Sequence, residues 1–390
     1  MQDFAVIQNE GTEKTVPSRR KNPAIVAVLI GCVFGAAVVH GQMRGDTRPA
    51  EQVFKNITAL KGIPADEFMS TMGFFSASLG FSCVNCHGRD SGGDWSKYAE
   101  ENDIKRKSRG MIAMVNAMNK NFFGGRRMLT CYTCHRGTSL PETTPDLTQF
   151  YATLRYREPD QMVSPFPGAP EAGEVINKFL NSIGGEQKAA TLTSVVAKGT
   201  YQPYGVPTKY AMDLYAKAPA QRTLIVHDLA GSDVVDTFDG REAWISESPQ
   251  LAPLPFLERS GEDVDAARLF AAMTFPGQIK TLLTQWRPGG PALIDDRDVT
   301  MVQATINGKV PVNMYFDDES GLLTRIVTYV DSPVGLSPTQ VDYSDYRELG
   351  GLKVPYKVIA TWLDGKSTIQ LTEIKANVPI EASKFARPAR

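Results

Sequence analysis

The amino-acid sequence predicts a multidomain protein in which a mostly α-helical domain is followed by an antiparallel, β-rich α+β domain. Apolar residues recur at helical spacing in the first third of the chain, and a stretch rich in Pro and acidic residues follows. The remainder consists of short apolar runs separated by turn dipeptides. The predicted segments are a membrane-directed segment at 1–41, a helical domain at 42–140, a linker at 141–171 and a β-rich domain at 172–390.

The composition is that of ordinary globular protein. The 390 residues include 42 Lys and Arg against 43 Asp and Glu, and 42% of the residues are hydrophobic. These values exclude a disordered chain, a collagen-like fibre and a polytopic membrane protein. The net charge of -1 also argues against a general nucleic-acid binder, so we expect no nucleic-acid partner.

The N-terminal segment is directed to a membrane. A basic run at Ser18–Asn22 precedes the uncharged apolar run Ala24–Val39, which is shorter than the roughly 20 residues of a membrane-spanning helix. The pattern favours a cleaved export signal; a retained anchor and lipidation at Cys32 stay open. Because the basic run remains on the inner side, each alternative places the rest of the chain in the periplasm or at the outer face of the cytoplasmic membrane.

Four of the five cysteines lie in two copies of the motif C-x-x-C-H. The first copy is Cys83–His87 and the second is Cys131–His135. In this motif both thiols form thioethers with the vinyl groups of a c-type haem, and the adjacent imidazole binds the iron. The sequence therefore predicts two covalent haems, held by Cys83 with Cys86 and by Cys131 with Cys134, with His87 and His135 as proximal ligands.

A helical stretch that carries methionines precedes each motif. Residues 65–79 form the first, with Pro64 as the start signal and Gly80 as the stop signal. In it Met72 is the expected distal ligand, and Met69 is the alternative one turn earlier. Residues 107–123 form the second, with methionines at 111, 114 and 118. The other histidines lie outside this region, so we expect one methionine of each set to bind iron.

The residues from Met72 to His87, and from Met114 to Gly137, resemble the cytochrome c subunit of photosynthetic reaction centres. In that family a Met-bearing helix, a turn and C-x-x-C-H follow one another. The resemblance assigns Met72 and Met114 as distal ligands, with Met111 second in the latter segment. This chain carries two such segments where the photosynthetic subunits typically carry four. The resemblance implies one-electron transfer to a redox partner, either a membrane-bound reaction centre or a respiratory complex.

Other polar and aromatic residues of the helical domain are expected to support the haems. A basic run spans Lys105–Lys107, and such runs either neutralise haem propionates, dock an acidic partner or are solvated. Trp95 and Tyr98 either cover a haem face or pack in a core.

The C-terminal half predicts an antiparallel meander. A short helix over 172–183 is followed by strands and by one helical interruption over 264–287. His227 stands alone in a strand, and a structural role is expected for it because the sequence places no catalytic partners beside it. The turn dipeptides lie at 239–240, 307–308, 320–321 and 364–365, and the strands at 192–199, 223–228, 299–306, 310–316, 323–330, 354–362 and 368–374.

The closing segments, from Tyr315 to Leu323 and from Tyr343 to Pro379, resemble the periplasmic lipoprotein-sorting proteins. That family folds as a curved antiparallel half-barrel over helices with an apolar cavity. The resemblance implies a lipid-sized groove, and hence a lipid ligand, or a docking platform.

Taken together, the sequence predicts an exported dihaem electron carrier with no catalytic residues. Two other classes remain open. A dihaem peroxidase would need a vacant iron position, and a lipid-binding or redox-sensing module would need a ligand in the β domain.

Overall fold

The computed structural model describes residues 48–88, 94–144 and 158–388. The predicted membrane-directed segment at 1–41 lies outside the described residues. Within the described ranges no helix is both long enough and apolar enough to cross a bilayer.

The helical region contains five α-helices among its described residues. Pro64 precedes α2, and Gly80 ends it in the left-handed conformation with φ 63°, as the sequence predicts. The longest helix, α4, begins four residues earlier than predicted because the Asn102 side chain accepts a hydrogen bond from Lys105 N. The helices are α1 (Ala50–Val53), α2 (Ala65–Leu79), α3 (Cys83–His87), α4 (Asp103–Phe122) and α5 (Cys131–His135), with a 3-10 helix at Trp95–Ala99.

The β-rich region is one antiparallel sheet of 13 strands, as the fold-class prediction requires. Its order is β6-β5-β4-β3-β2-β1-β13-β12-β11-β10-β9-β8-β7, so β6 and β7 lie at the two edges and do not pair with each other. The strands are β1 (Ser194–Pro203), β2 (Tyr210–Lys217), β3 (Gln221–Leu229), β4 (Ser232–Phe238), β5 (Ala243–Ser246), β6 (Phe256–Glu258), β7 (Leu283–Ile294), β8 (Arg297–Ile306), β9 (Val310–Asp317), β10 (Leu323–Ser332), β11 (Gly335–Leu349), β12 (Leu352–Trp362) and β13 (Gly365–Ala376).

Short helices pack against the sheet and enclose the main core. Phe179 and Leu180 of the first of them are almost fully buried, and the Phe179 ring lies 5.4 Å from that of Phe316. These helices are α6 (Ala172–Ser182), α7 (Glu186–Ala190), α8 (Gly261–Ala272) and α9 (Ile279–Leu282), with 3-10 helices at Pro276–Gln278 and Ala382–Phe385.

The helix predicted over 264–287 is wrong in its C-terminal part. The α-helix ends at Ala272, and Pro276 then begins a 3-10 turn because proline cannot continue an α-helix. From Leu283 onward the chain is the edge strand β7, which pairs with β8. Leu283, which is buried, therefore belongs to strand β7 and not to the predicted helix.

The second half of the predicted linker lies against the sheet. The Glu158 carboxylate accepts hydrogen bonds of 2.6 Å from both Asn313 and Tyr315, and burial raises its pKa. Val163 packs on a small apolar cluster that includes Met301 and Tyr329. This segment therefore covers part of the sheet surface, and the domain boundary itself stays a prediction.

Candidate haem attachment sites

The first motif forms a one-turn helix, α3. Ser82 precedes it, and both the backbone N–H and the hydroxyl of Ser82 donate to Asn85 Oδ1, at 2.8 and 2.7 Å. Helical spacing of three and four residues places Cys86 and His87 on the same side as Cys83. The two thiols and the imidazole that must act on one haem are thus presented together.

The imidazole of His87 is held by a backbone carbonyl. His87 Nδ1 lies 2.9 Å from the carbonyl oxygen of Tyr98, and the two rings stack with centroids 4.5 Å apart. Because a carbonyl can only accept, Nδ1 carries the proton and Nε2 keeps its lone pair. Burial lowers the pKa of His87 and so favours the neutral form that binds metal.

The second motif also forms a one-turn helix, α5, but different residues hydrogen-bond to its start and to its histidine. Thr130 and Thr133 hydrogen-bond reciprocally across the start of α5, at 3.0 and 3.3 Å. His135 Nδ1 lies 3.1 Å from the carbonyl oxygen of Thr138, three residues along the chain. Here too the Nε2 lone pair is left for a metal.

None of the four motif cysteines, which all lie in the described ranges, forms a disulfide. Cys83 and Cys134 are exposed, whereas Cys86 and Cys131 are partly buried, and burial raises the pKa of the latter two. Each motif thus offers two unpaired thiols for thioether formation.

The first methionine helix, α2, has two different faces. Asp66, Gly73 and Phe74 are buried against the β-rich region, where the Phe74 ring approaches Gly335. Met72 and Met69 are both half-buried. At 100° per residue, Met72 points farther from the docked face than Met69 does. The assignment of Met72 over Met69 stays a prediction that this geometry favours.

The second methionine helix presents a row of sulfur side chains. Met111, Met114 and Met118 are 48%, 46% and 37% exposed, which is unusual for three apolar residues on one helix face. The end of the same helix supports the second motif, because Asn119 Oδ1 accepts from the backbone N–H groups of Met128 and Leu129 at 3.0 and 2.9 Å. Sequence reasoning missed Asn119, because Asn116, Lys120 and Asn121 lie beside it and no pattern distinguishes it from them.

The two attachment segments contact each other directly. The Gly137 N–H donates to the Ser78 carbonyl at 2.9 Å, which joins the end of α2 to the turn that follows the second motif. The N-terminus of α4 reaches the first motif, where Asn102 Nδ2 donates to the Cys86 carbonyl at 2.8 Å. Backbone contacts thus connect the two sites.

Polar contacts attach the helical region to the β-rich region. Asp66 Oδ2 accepts from both the backbone N–H and the hydroxyl of Ser260, and Trp95 Nε1 donates to the Pro249 carbonyl at 2.9 Å. Arg127 forms a two-armed ion pair with Asp331. Trp95 also packs edge-on against Tyr98, with ring centroids 4.6 Å apart, so the support of His87 continues to the β-rich region.

His227 lies apart from these sites. Its two ring nitrogens are 3.1 and 3.3 Å from Asp233 and Asp213, and these carboxylates raise its pKa although burial opposes them. Within the described ranges, no group of three or more His, Cys, Asp or Glu is arranged to bind a metal ion.

The residues present fit a c-type haem at each motif. Two thiols and an imidazole share one side of a one-turn helix, and each imidazole has its Nδ1 occupied by a carbonyl. A nearby row of exposed methionines offers thioether sulfur and apolar surface. This donor set is the one that c-type cytochromes use to hold haem.

The comparison with known proteins agrees with that class and with the resemblance drawn from the sequence. Residues 9–150 match the family described as photosynthetic reaction centre cytochrome C subunit. The photosynthetic reaction center cytochrome c subunit of Roseobacter denitrificans is 31% identical over 105 residues. That match covers 25% of this chain and 28% of the relative, so the chain spans little more than a quarter of the relative's length.

Similar solved structures involve more than half of this chain. A LolA superfamily protein from Nitrosomonas europaea is 14% identical, covers 56% of this chain and 99% of its own, and has a TM-score of 0.38. A putative outer membrane lipoprotein-sorting protein domain from Vibrio parahaemolyticus is 9% identical, covers 54% and 97%, and has a TM-score of 0.37.

Proposed function

We propose that this protein is an exported dihaem c-type cytochrome that transfers electrons one at a time to a membrane-bound partner, a reaction centre or a respiratory complex. The observation that carries the proposal is the duplicated motif helix, in which Cys, Cys and His share one side and the His Nδ1 is fixed by a carbonyl. When bound, a haem at each motif supplies an iron that alternates between ferric and ferrous states.

The chain's own residues would do three things for such a carrier. The cysteines would fix the position of each haem, and Nε2 of His87 and of His135 would each bind one iron. Met72 and Met114 would provide a second iron ligand, with Met69 and Met111 as the alternatives. His/Met ligation favours the reduced iron relative to two histidines and keeps substrates away from the metal.

The first experiment counts the haems and identifies the methionines. Intact mass after acid-acetone extraction is expected to exceed that of the processed polypeptide by two haems. Met72→Ala and Met114→Ala are each expected to abolish the sulfur-to-iron charge-transfer band of one haem while attachment persists. Met118→Ala is the matched control on the exposed row of α4 and should leave both bands intact. Loss of a band in Met69→Ala or Met111→Ala instead would move the assignment by one turn.

The second experiment separates a carrier from a dihaem peroxidase. A peroxidase needs one vacant or easily vacated iron position, whereas two thioether ligands leave none. The reduced protein is therefore expected not to bind carbon monoxide rapidly, and peroxide turnover should be negligible. Stoichiometric binding at one haem within the mixing time, together with peroxidase activity, would make the enzyme the better assignment.

For the β-rich region we propose a supporting role as docking platform or lipid-binding module on the outer side of the membrane. The contacts of Asp66, Trp95 and Arg127 with this region support a structural link to the haem sites. Binding of a fluorescent phospholipid to the full chain distinguishes the two roles. Saturable binding would favour the lipid-binding module over the docking platform.

A further inference from the structure

The two proximal histidines bind carbonyls that differ in one respect. The Tyr98 carbonyl, which accepts from His87 Nδ1 at 2.9 Å, also accepts from the ammonium group of Lys105 at 2.5 Å. The Thr138 carbonyl accepts from His135 Nδ1 at 3.1 Å, and no cationic side chain among the described residues donates to it. The first site therefore has a positive charge on its His-supporting carbonyl, and the second does not.

Lys105 is fixed in this position by its surroundings. Its ammonium group also donates to the Glu100 carbonyl at 2.5 Å, and the residue is partly buried. The nearby Glu101 carboxylate is 2.6 Å from Arg109, and no ion pair among the described residues includes Lys105. The charge of Lys105 is thus directed at backbone oxygens beside His87, and Glu101 acts on it from beyond ion-pair distance.

Two physical effects of this arrangement have the same sign. A carbonyl that also accepts from an ammonium group attracts the Nδ1 proton of His87 less strongly, so the imidazole donates less electron density through Nε2. A partly buried positive charge also disfavours the more positive ferric state, since screening by water is incomplete there. Both effects favour reduction at the first site.

We propose that Lys105 is a positioning and tuning residue that raises the reduction potential of the haem at Cys83–His87 relative to the haem at Cys131–His135. This inference rests on the proposed function, because it requires a haem at each motif. It predicts that Lys105 shifts the electron of the half-reduced protein toward the first site.

The test is a potentiometric titration of the intact dihaem protein and of Lys105→Met, which removes the ammonium group and keeps the length of the side chain. Lys107→Met is the matched control, because Lys107 is exposed on the same helix and carries the same charge. A variant lacking Cys131 and Cys134 retains the first haem alone and assigns its potential. Lys105→Gln replaces Lys105→Met if the latter does not assemble with two haems.

The expected result is a threefold to tenfold fall in the reduction equilibrium constant of the first haem, about 30 to 59 mV at 59 mV per tenfold change. The second haem and the Lys107→Met protein should change by much less. Equal shifts at both haems, an equal effect of Lys107→Met, or no shift in Lys105→Met would overturn the inference while leaving a dihaem carrier intact. A wild-type protein without haem at the first motif would overturn the proposed function as well.

Discussion

Gly80 lies where the two attachment segments meet, and its replacement tests whether that junction stabilises the protein. Gly80 ends α2 with φ 63°, and a Cβ atom built on it would lie 2.3 Å from the Gly137 carbonyl oxygen. Gly80→Ala therefore meets two penalties. One is the left-handed conformation of a residue with a side chain, about 1 to 2 kcal/mol, and the other is a contact that real atoms do not make.

The second penalty can be relieved only if the two segments separate. The Gly137 N–H donates to the Ser78 carbonyl at 2.9 Å, so a shift of the Gly137 segment also weakens a backbone hydrogen bond worth about 1 kcal/mol. We expect Gly80→Ala to lower the free energy of unfolding by about 2 to 4 kcal/mol.

Gly124 provides the matched control. It has φ 62°, and a Cβ atom added to it would have no other atom within 4 Å, so Gly124→Ala meets only the backbone penalty. The assay is urea denaturation at neutral pH, followed by far-ultraviolet circular dichroism on protein shown to carry its haems, with hydrogen exchange at Gly137 as a local readout. If Gly80→Ala is no more destabilising than Gly124→Ala, the contact between the segments contributes nothing and the reasoning is wrong.

Three further perturbations follow from the same contacts. Burial raises the pKa of Asp263 to about 6, because the folded state disfavours the charged carboxylate. The protonated carboxyl therefore stabilises the folded state. This stabilisation is complete below the unfolded pKa near 4 and is lost as the pH rises through 6. Asp263→Asn should therefore stabilise the protein by about 3 kcal/mol at pH 7 and by much less at pH 4, measured by urea unfolding, and a pH-independent effect would contradict this. Glu158→Ala should cost about 2 kcal/mol because Asn313 and Tyr315 lose a shared acceptor, whereas Glu158→Gln, which retains an oxygen, should cost less; equal losses in thermal unfolding would refute the hydrogen-bond explanation. Arg127→Ala should cost no more than about 1 kcal/mol, and less in high salt, because its ion pair is partly exposed; a salt-independent loss would indicate that packing of the side chain dominates.

The sequence predicted the local structure of the helical region well because local signals determine it. Helix α2 begins after Pro64 and ends at Gly80 as expected, since proline suits a helix start and glycine adopts the left-handed cap without strain. The C-x-x-C-H motif needs only one helical turn to gather its reactive groups. The start of α4 was placed too late because the capping role of Asn102 was not recognised.

The error in the helix predicted over 264–287 has a different origin. Apolar residues near Leu283 fit a helical period and a buried strand equally well over so short a run. Pairing of β7 with β8 resolves this ambiguity, and that pairing depends on chain elsewhere in the sheet. The contacts of Glu158 could not be predicted from the sequence either, because a Pro-rich acidic stretch has the composition of a linker whether or not it covers a sheet.

The difference between the two proximal histidines could not have been predicted from the motifs, because it lies in backbone carbonyls, which every residue carries. His135 is supported by its own chain three residues later, so its environment follows from local sequence. His87 is supported by Tyr98, which stacks on its ring, packs against Trp95 and shares its carbonyl with Lys105. Trp95 in turn donates to the Pro249 carbonyl of the β-rich region. The hydrogen-bond support of His87 therefore reaches the β-rich region through Tyr98 and Trp95, whereas the carbonyl that supports His135 belongs to its own segment.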